Sequence, residues 1–317
     1  MSLKWLVAAA IVALLGCSTT SSKGAFRVAL ITPGSITDAA WNSGAYAGLN
    51  AIRDSLKIQI SNVEAHTPVE QQEAMRTYAA EGYALVFCHG FEFQDAAERI
   101  STEYPRTVFI VTSGQRVAGN VSPLIFRLNE ASYLAGIVAG GMTKSGVIGF
   151  VGGIELPPIK DAEAAWVSGA KSVNPKIVAR STYLNSFDDV AAGREATIAL
   201  IRAGADMFHH NADAAALGMF QAIRETPGVY AFGANADQRS LAPGHVLGSA
   251  IIDLPRALLA VAVEVKNGTF KPHIESLGLK SGVIRYEADP SVPIPSAVQA
   301  RVREADDSIQ AIDGGPP

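Results

Sequence analysis

Five short clusters of aromatic, amide and acidic residues carry the chemistry this chain has to offer. They are Asp38 with Trp41 and Asn42; Gly90, Phe91 and Glu92; Asn185, Ser186, Phe187 and Asp188; Asn211 with Asp213; and Asn235 with Asp237 and Gln238. Aromatic rings offer flat stacking faces, and side-chain amides offer donors and acceptors together. That combination suits a neutral, planar, polar small molecule better than a highly charged one. Each cluster alone reads as capping chemistry, since Asn, Asp and Ser begin helices and turns throughout proteins. Every one of them, however, follows a β-rich run, and five converging on one edge of a sheet assembly read as a binding rim.

Signatures of bond-making chemistry are missing. Gly141, Met142, Thr143, Lys144 and Ser145 resemble the end of a phosphate-binding loop, but Thr143 precedes the lysine and the upstream glycine is absent. There is no Gly-x-Ser-x-Gly elbow and no His-Glu-x-x-His metal pair. His209 and His210 are neighbours on an expected strand, so their side chains point to opposite faces and cannot share a metal. No metal, cofactor or catalytic residue is therefore expected. The net charge of −4, with no block of Lys or Arg, gives no electrostatic footprint for nucleic acid.

The elements that must position these clusters alternate regularly. Residues 26–32, 57–63, 84–89 and 107–112 form β-rich, nearly continuous apolar runs, as parallel strands covered on both faces require. Helical spacing occupies 38–55, 70–81 and 95–104 between them. The pattern restarts with a helix over 129–143, strands at 146–151, 176–182, 206–211 and 229–234, and helices at 161–172, 190–202 and 214–224. Two successive series of similar size predict an α/β protein with two doubly wound parallel-sheet lobes. From residue 245 onward a strand, a helix over 256–266, a strand near Val283 and a helix over 296–307 are too little for a third domain. They are expected to cross back and complete both lobes.

The N-terminus has its own signal. Lys4 precedes an apolar run over 5–15, which stops at Leu14, Leu15, Gly16 and Cys17 before a Ser/Thr-rich stretch. This is the layout of a secretory signal peptide over 1–16, and the run falls short of the ~20 apolar residues that span a bilayer. A Cys at the break is the bacterial lipoprotein arrangement, so Cys17 is expected to carry the lipid, with 17–25 as a tether and the rest of the chain outside the cytoplasm. Cys88 then stands alone in an apolar run and is expected to be a small core residue.

With these residues in view the chain resembles the basic membrane protein family, the substrate-binding lipoproteins of ABC importers that include purine nucleoside receptors. The resemblance rests on 26–32 with Asp38, Trp41, Asn42, Gly48 and Leu49, and on 90–95, Tyr104, Pro105, 133–136, 143–146 and 149–153. It continues through Ser186, Phe187, Asp189, 204–206 and 236–238, in order. It implies a type I periplasmic-binding-protein fold, with two lobes joined by a hinge. The N-terminal lobe would hold 26–128 plus about 249–275, the C-terminal lobe 129–248 plus about 276–311, with 312–317 as a tail. It also implies a monomeric, lipid-anchored solute receptor that is no enzyme and delivers a purine base or nucleoside to an ABC permease. Trp41 and Phe187 would sandwich the base, while Asn42, Gly90 and Phe91 address its edge.

Three departures bear on the sugar. Pro33, Asn235 and Ile252 stand where nucleoside-binding members carry Asp, Asp and Lys. The charged grip on ribose is thereby removed, and Asn211 and Asp213 are candidates for compensating contacts. Two other classes stay open at this point: a receptor for another small polar solute such as a sugar, and a nucleoside-processing enzyme.

Overall fold

The computed structural model describes residues 25–312; the expected leader, Cys17 and the tail beyond Ile312 lie outside them. The first series is β1 (Arg27–Thr32), α1 (Trp41–Leu56), β2 (Gln59–Glu64), α2 (Pro68–Ala80), β3 (Leu85–His89), α3 (Gln94–Ser101), β4 (Val108–Thr112) and β5 (Val121–Phe126). The second is α4 (Leu128–Met142), β6 (Val147–Gly152), α5 (Pro157–Val173), β7 (Val178–Tyr183), α6 (Val190–Arg202), β8 (Met207–Asn211), α7 (Ala216–Arg224), β9 (Tyr230–Asn235) and β10 (Val246–Ile252). The chain then adds α8 (Leu254–Asn267), β11 (Glu275–Leu277), β12 (Ile284–Ala288) and α9 (Ser296–Ala311).

Two six-stranded sheets result, ordered β11-β5-β4-β3-β1-β2 and β12-β10-β9-β8-β6-β7. All pairings are parallel except that of β10 with β12. In each sheet the second strand of the series lies outside the first, and the third lies on the first strand's other side. This leaves a topological switch point between β1 and β3 in one lobe and between β6 and β8 in the other. Crevices at the carboxyl ends of strands flanking such points are where open α/β sheets bind ligands.

The chain crosses between lobes three times. Arg127 joins β5 to α4, which packs on α5; Asp253 joins β10 to α8, which packs on α1; Gly278 links β11 to the turn before β12. These crossings differ by a few residues from the expected boundaries. Residues 249–252 belong to the C-terminal sheet, because Ser249, Ala250 and Ile251 pair with β9. Ser276 and Leu277 belong to the N-terminal sheet, because they pair with β5. Neither β5 nor β11 stands out in the sequence. Pro123 interrupts the first, and the second is three residues long.

Local chemistry fixes the elements that reach the cleft. The Asp38 carboxylate accepts backbone N–H bonds from Ala40, Asn42 and Ser43 at 2.7–3.0 Å, so it anchors the start of α1 just before Trp41. Thr67 and Glu70 form a capping box around Pro68 on α2. Between α4 and α5 the backbones touch: a Cβ on Gly169 would overlap the Tyr133 carbonyl, and one on Gly136 the Trp166 carbonyl. Large rings fill both interiors, among them Phe87 and Phe109 in the N-terminal lobe and Phe150, Trp166, Phe208 and Phe232 in the C-terminal one. Cys88 is fully buried on β3, and burial pushes its thiol far up, as an inert core residue requires.

Candidate functional site

A cavity of about 420 Å³ lies between the lobes, at both switch points. Trp41, Gly90 and Phe91 line it from the N-terminal lobe; Phe187, Asn211, Asp213 and Asn235 line it from the C-terminal lobe. Asn42 does not. It is buried behind the wall, where its backbone N–H is held by Asp38 and its Oδ1 has no partner. Pro33, Asn235 and Ile252, the three departures, all reach the cavity.

Trp41 opens α1 and is held from behind. Its indole stacks on His89 with ring centroids 4.0 Å apart and planes 21° apart, and meets Phe126 edge-on at 6.0 Å. His89, at the end of β3, is completely buried, and its Nε2 lies 3.1 Å from the Trp41 carbonyl. A carbonyl only accepts, so Nε2 carries the proton and Nδ1 accepts from the Thr112 hydroxyl at 3.0 Å. Burial holds the imidazole neutral, its pKa pushed down to about 3. One face of Trp41 is thus occupied by a fixed neutral ring.

Phe187 sits on the loop after β7. The Leu184 and Asn185 N–H groups bond the Gly153 carbonyl at 3.0 Å, and the Ala215 N–H bonds the Phe187 carbonyl at 2.8 Å. Its ring lies where a Cβ on residue 153 would be, so only glycine leaves room for it. Deeper in the C-terminal lobe, the Asn235 amide donates to Asn211 Oδ1 at 3.5 Å and Asp213 Oδ1 at 3.3 Å. Asp213 and Asn235 hold the left-handed region with φ of 45° and 66°, which short polar side chains tolerate best. Burial first, then the nearby Asp38, Glu92 and Asp188 charges, drives the Asp213 carboxyl well above the ordinary range.

The neighbouring histidines of β8 and the remaining residues of the 235–238 cluster serve the fold. His209 donates from Nδ1 to the Phe232 carbonyl at 3.3 Å and faces the Ser132 hydroxyl at 3.1 Å. His210 bonds Gln238 Oε1 at 2.8 Å. Both rings are fully buried, and neither lines the cavity. Asp237 pairs with Arg239, and Gln238 braces the Ala234 N–H.

Among the lining residues outside the expected site set are the ionisable groups Glu92, Arg127 and Asp161 and the amides Gln115 and Asn129. Glu92 adjoins Phe91 and was legible as part of its cluster. Arg127 and Asn129 follow the unrecognised β5, and Asp161 enters from α5, past its first turn. Arg127 is engaged with Glu130 at 2.6 Å, and Glu130 also accepts the Leu279 N–H at 2.6 Å, tying two of the three crossings together. No group of three or more potential metal ligands occurs among the described residues, and no described helix is long and apolar enough to cross a membrane.

The chain is 29% identical over 297 residues to basic membrane protein A2 of Borrelia garinii subsp. bavariensis, covering 91% of this chain and 88% of that one. It is 25% identical over 242 residues to a purine-binding protein of Brucella abortus, covering 76% and 68% respectively. A solute-binding protein of an ABC transporter system from Aeropyrum pernix superposes with a TM-score of 0.83 at 20% identity, covering 90% of this chain and 91% of that one. Its likeness extends the type I periplasmic-binding fold to this chain. The family profile described as ABC transporter substrate-binding protein, PnrA-like, matches residues 25–311, and the chain belongs to that family of non-enzymatic solute receptors.

Proposed function

We propose that the cleft binds a purine base or nucleoside between Trp41 and Phe187, and that the protein acts as a monomeric receptor, lipid-anchored outside the cytoplasm through Cys17, for an ABC permease. The observation that carries the ligand reading is the pair of aromatic side chains at the cavity, one from each lobe, with Trp41 already backed by His89. A planar ring entering there stacks on the free indole face, and closure by the Phe187 loop removes it from water. Pro33, Asn235 and Ile252 leave ribose with amides and a hydrocarbon wall, so the base contributes most of the affinity. Asn211 and Asp213 supply polar contacts at its edge.

Calorimetric titration of the protein lacking residues 1–17 with adenine, adenosine, guanosine, ribose and glucose tests this. Binding of purines with ribose and glucose inactive is the expected result. Binding of a sugar with purines inactive overturns the ligand assignment and keeps the receptor. The Phe187 wall has its own check. Gly153→Ala places a methyl group in the space of the Phe187 ring and should weaken purine binding by about tenfold, roughly one stacking contact. Unchanged affinity in that variant would remove Phe187 from the site.

A further inference from the structure

Acidic members of the sequence clusters gather at the cavity without a matching cation among the described residues. Its ionisable lining is Glu92, Asp161, Asp213 and Arg127, and Arg127 is taken up by Glu130. Among the described residues none of the three carboxylates makes an ion pair. Asp213 is only 7% exposed, and among the described residues its one side-chain bond is from the Asn235 amide to Oδ1. Asp188 stands beside Phe187, and its charge reaches Asp213 along with those of Asp38 and Glu92. Acid groups therefore face the ligand space from both lobes, in a pocket that also carries the rings of Trp41, Phe91, Phe126 and Phe187, and among the described residues its one lining cation, Arg127, is paired with Glu130.

We infer that the natural ligand is a cationic planar heterocycle, a ring-N-alkylated purine or its nucleoside, in preference to the neutral parent compound. This rests on the purine reading above. A positive charge spread over the ring is attracted to the electron-rich faces of Trp41 and Phe187, an interaction strongest for Trp and larger in a desolvated site. The same charge compensates Glu92 and the buried Asp213, whose like charges a neutral purine leaves unbalanced. Anionic nucleotides are excluded by the same carboxylates.

The titration behaviour fits. Enclosure by the cleft raises Glu92 to about 6, although its side chain opens onto the ligand space, and Asp213 lies higher than an ordinary carboxyl. A cation entering the cleft displaces protons from these groups, whereas His89, held neutral by burial behind Trp41, does not take part.

The test compares 1-methyladenosine with adenosine, and 7-methylguanosine with guanosine, at about pH 6.5, where both methylated compounds are predominantly cations. The methylated compounds should bind on the order of 10-fold more tightly, the range of a desolvated cation–π contact. Glu92→Gln and Asp213→Asn, assayed separately, should each shrink that ratio; a ratio unchanged in both overturns the inference. Neutral parents that bind as well or better also overturn it and leave the purine reading standing. Failure of all four compounds to bind defeats the purine reading itself.

Discussion

Replacing Trp41 by alanine should weaken purine binding by two to three orders of magnitude while the protein remains folded. The indole is half-buried at the start of α1, with His89 covering one face and the cavity opposite. A ligand ring that covers the free face removes roughly 100 Å² of apolar surface from water, worth ~2.5 kcal/mol. Aromatic stacking adds about 0.5–1.5 kcal/mol beyond that burial. The sum, ~3–4 kcal/mol, corresponds to a factor of about 10²–10³ in Kd. The helix itself depends on Asp38, which bonds the backbone and not the indole, so the thermal midpoint should move by only a few degrees. Trp41→Phe should restore part of the loss, because a smaller ring still stacks. Calorimetry on the three proteins decides; equal affinity in Trp41→Ala would sink the aromatic sandwich.

The second large effect is expected in acid. His89, His209 and His210 are fully buried and hydrogen-bonded as neutral rings, with pKa values pushed down to about 3, 3 and 4. Burial is the largest cause for each. In the unfolded chain the same rings accept protons near pH 6.5. The folded state is therefore favoured above that pH, and the advantage is lost as pH falls toward the folded-state values. At pH 5 each ring costs about 2 kcal/mol, so the three together reach ~6 kcal/mol against a typical total of 5–15. Glu92 and Asp213 act the other way. Their raised carboxyls favour the folded state below the unfolded carboxylate range, and that contribution fades as pH rises through about 6 for Glu92. They offset part of the loss, but fewer groups are involved. The thermal midpoint should fall steeply from pH 6.5 to 5. In His210→Gln, which keeps a partner for Gln238, the fall should be shallower by about one proton. A midpoint flat over that interval would contradict the assignment.

The sequence clusters pointed to the sheet edge at which the cavity lies because each follows a strand, and strand ends at switch points are a topological property readable without coordinates. The helix over 190–202 was legible to the residue, bounded by Asp189, whose carboxylate caps it, and the turn at Gly204. Side-chain relations across the fold were not legible. His89 lies 48 residues from Trp41, and nothing in either segment states that one ring will lie under the other. The charge of the cleft was hidden for a similar reason. Asp161 belongs to a helix that looks solvated in sequence, and only the approach of the two lobes brings it and Glu92 to one cavity. Asn42 failed in the opposite sense: its neighbour faces the cavity, and a helix turns successive residues by about 100°, away from one another.

The three crossings bear on how the chain comes to be folded. The N-terminal sheet ends on β11, and α1 is covered by α8, so this lobe lacks its outer strand and a packing helix until residue 277 has been made. The C-terminal lobe likewise waits for β12 and α9, which closes over α4. Neither lobe is a contiguous stretch that can mature on the ribosome while the other is still being translated. The last fifth or so of the chain, from α8 onward, acts as a clasp, and completion of both lobes is postponed to the end of synthesis, when the long-range pairing must be made.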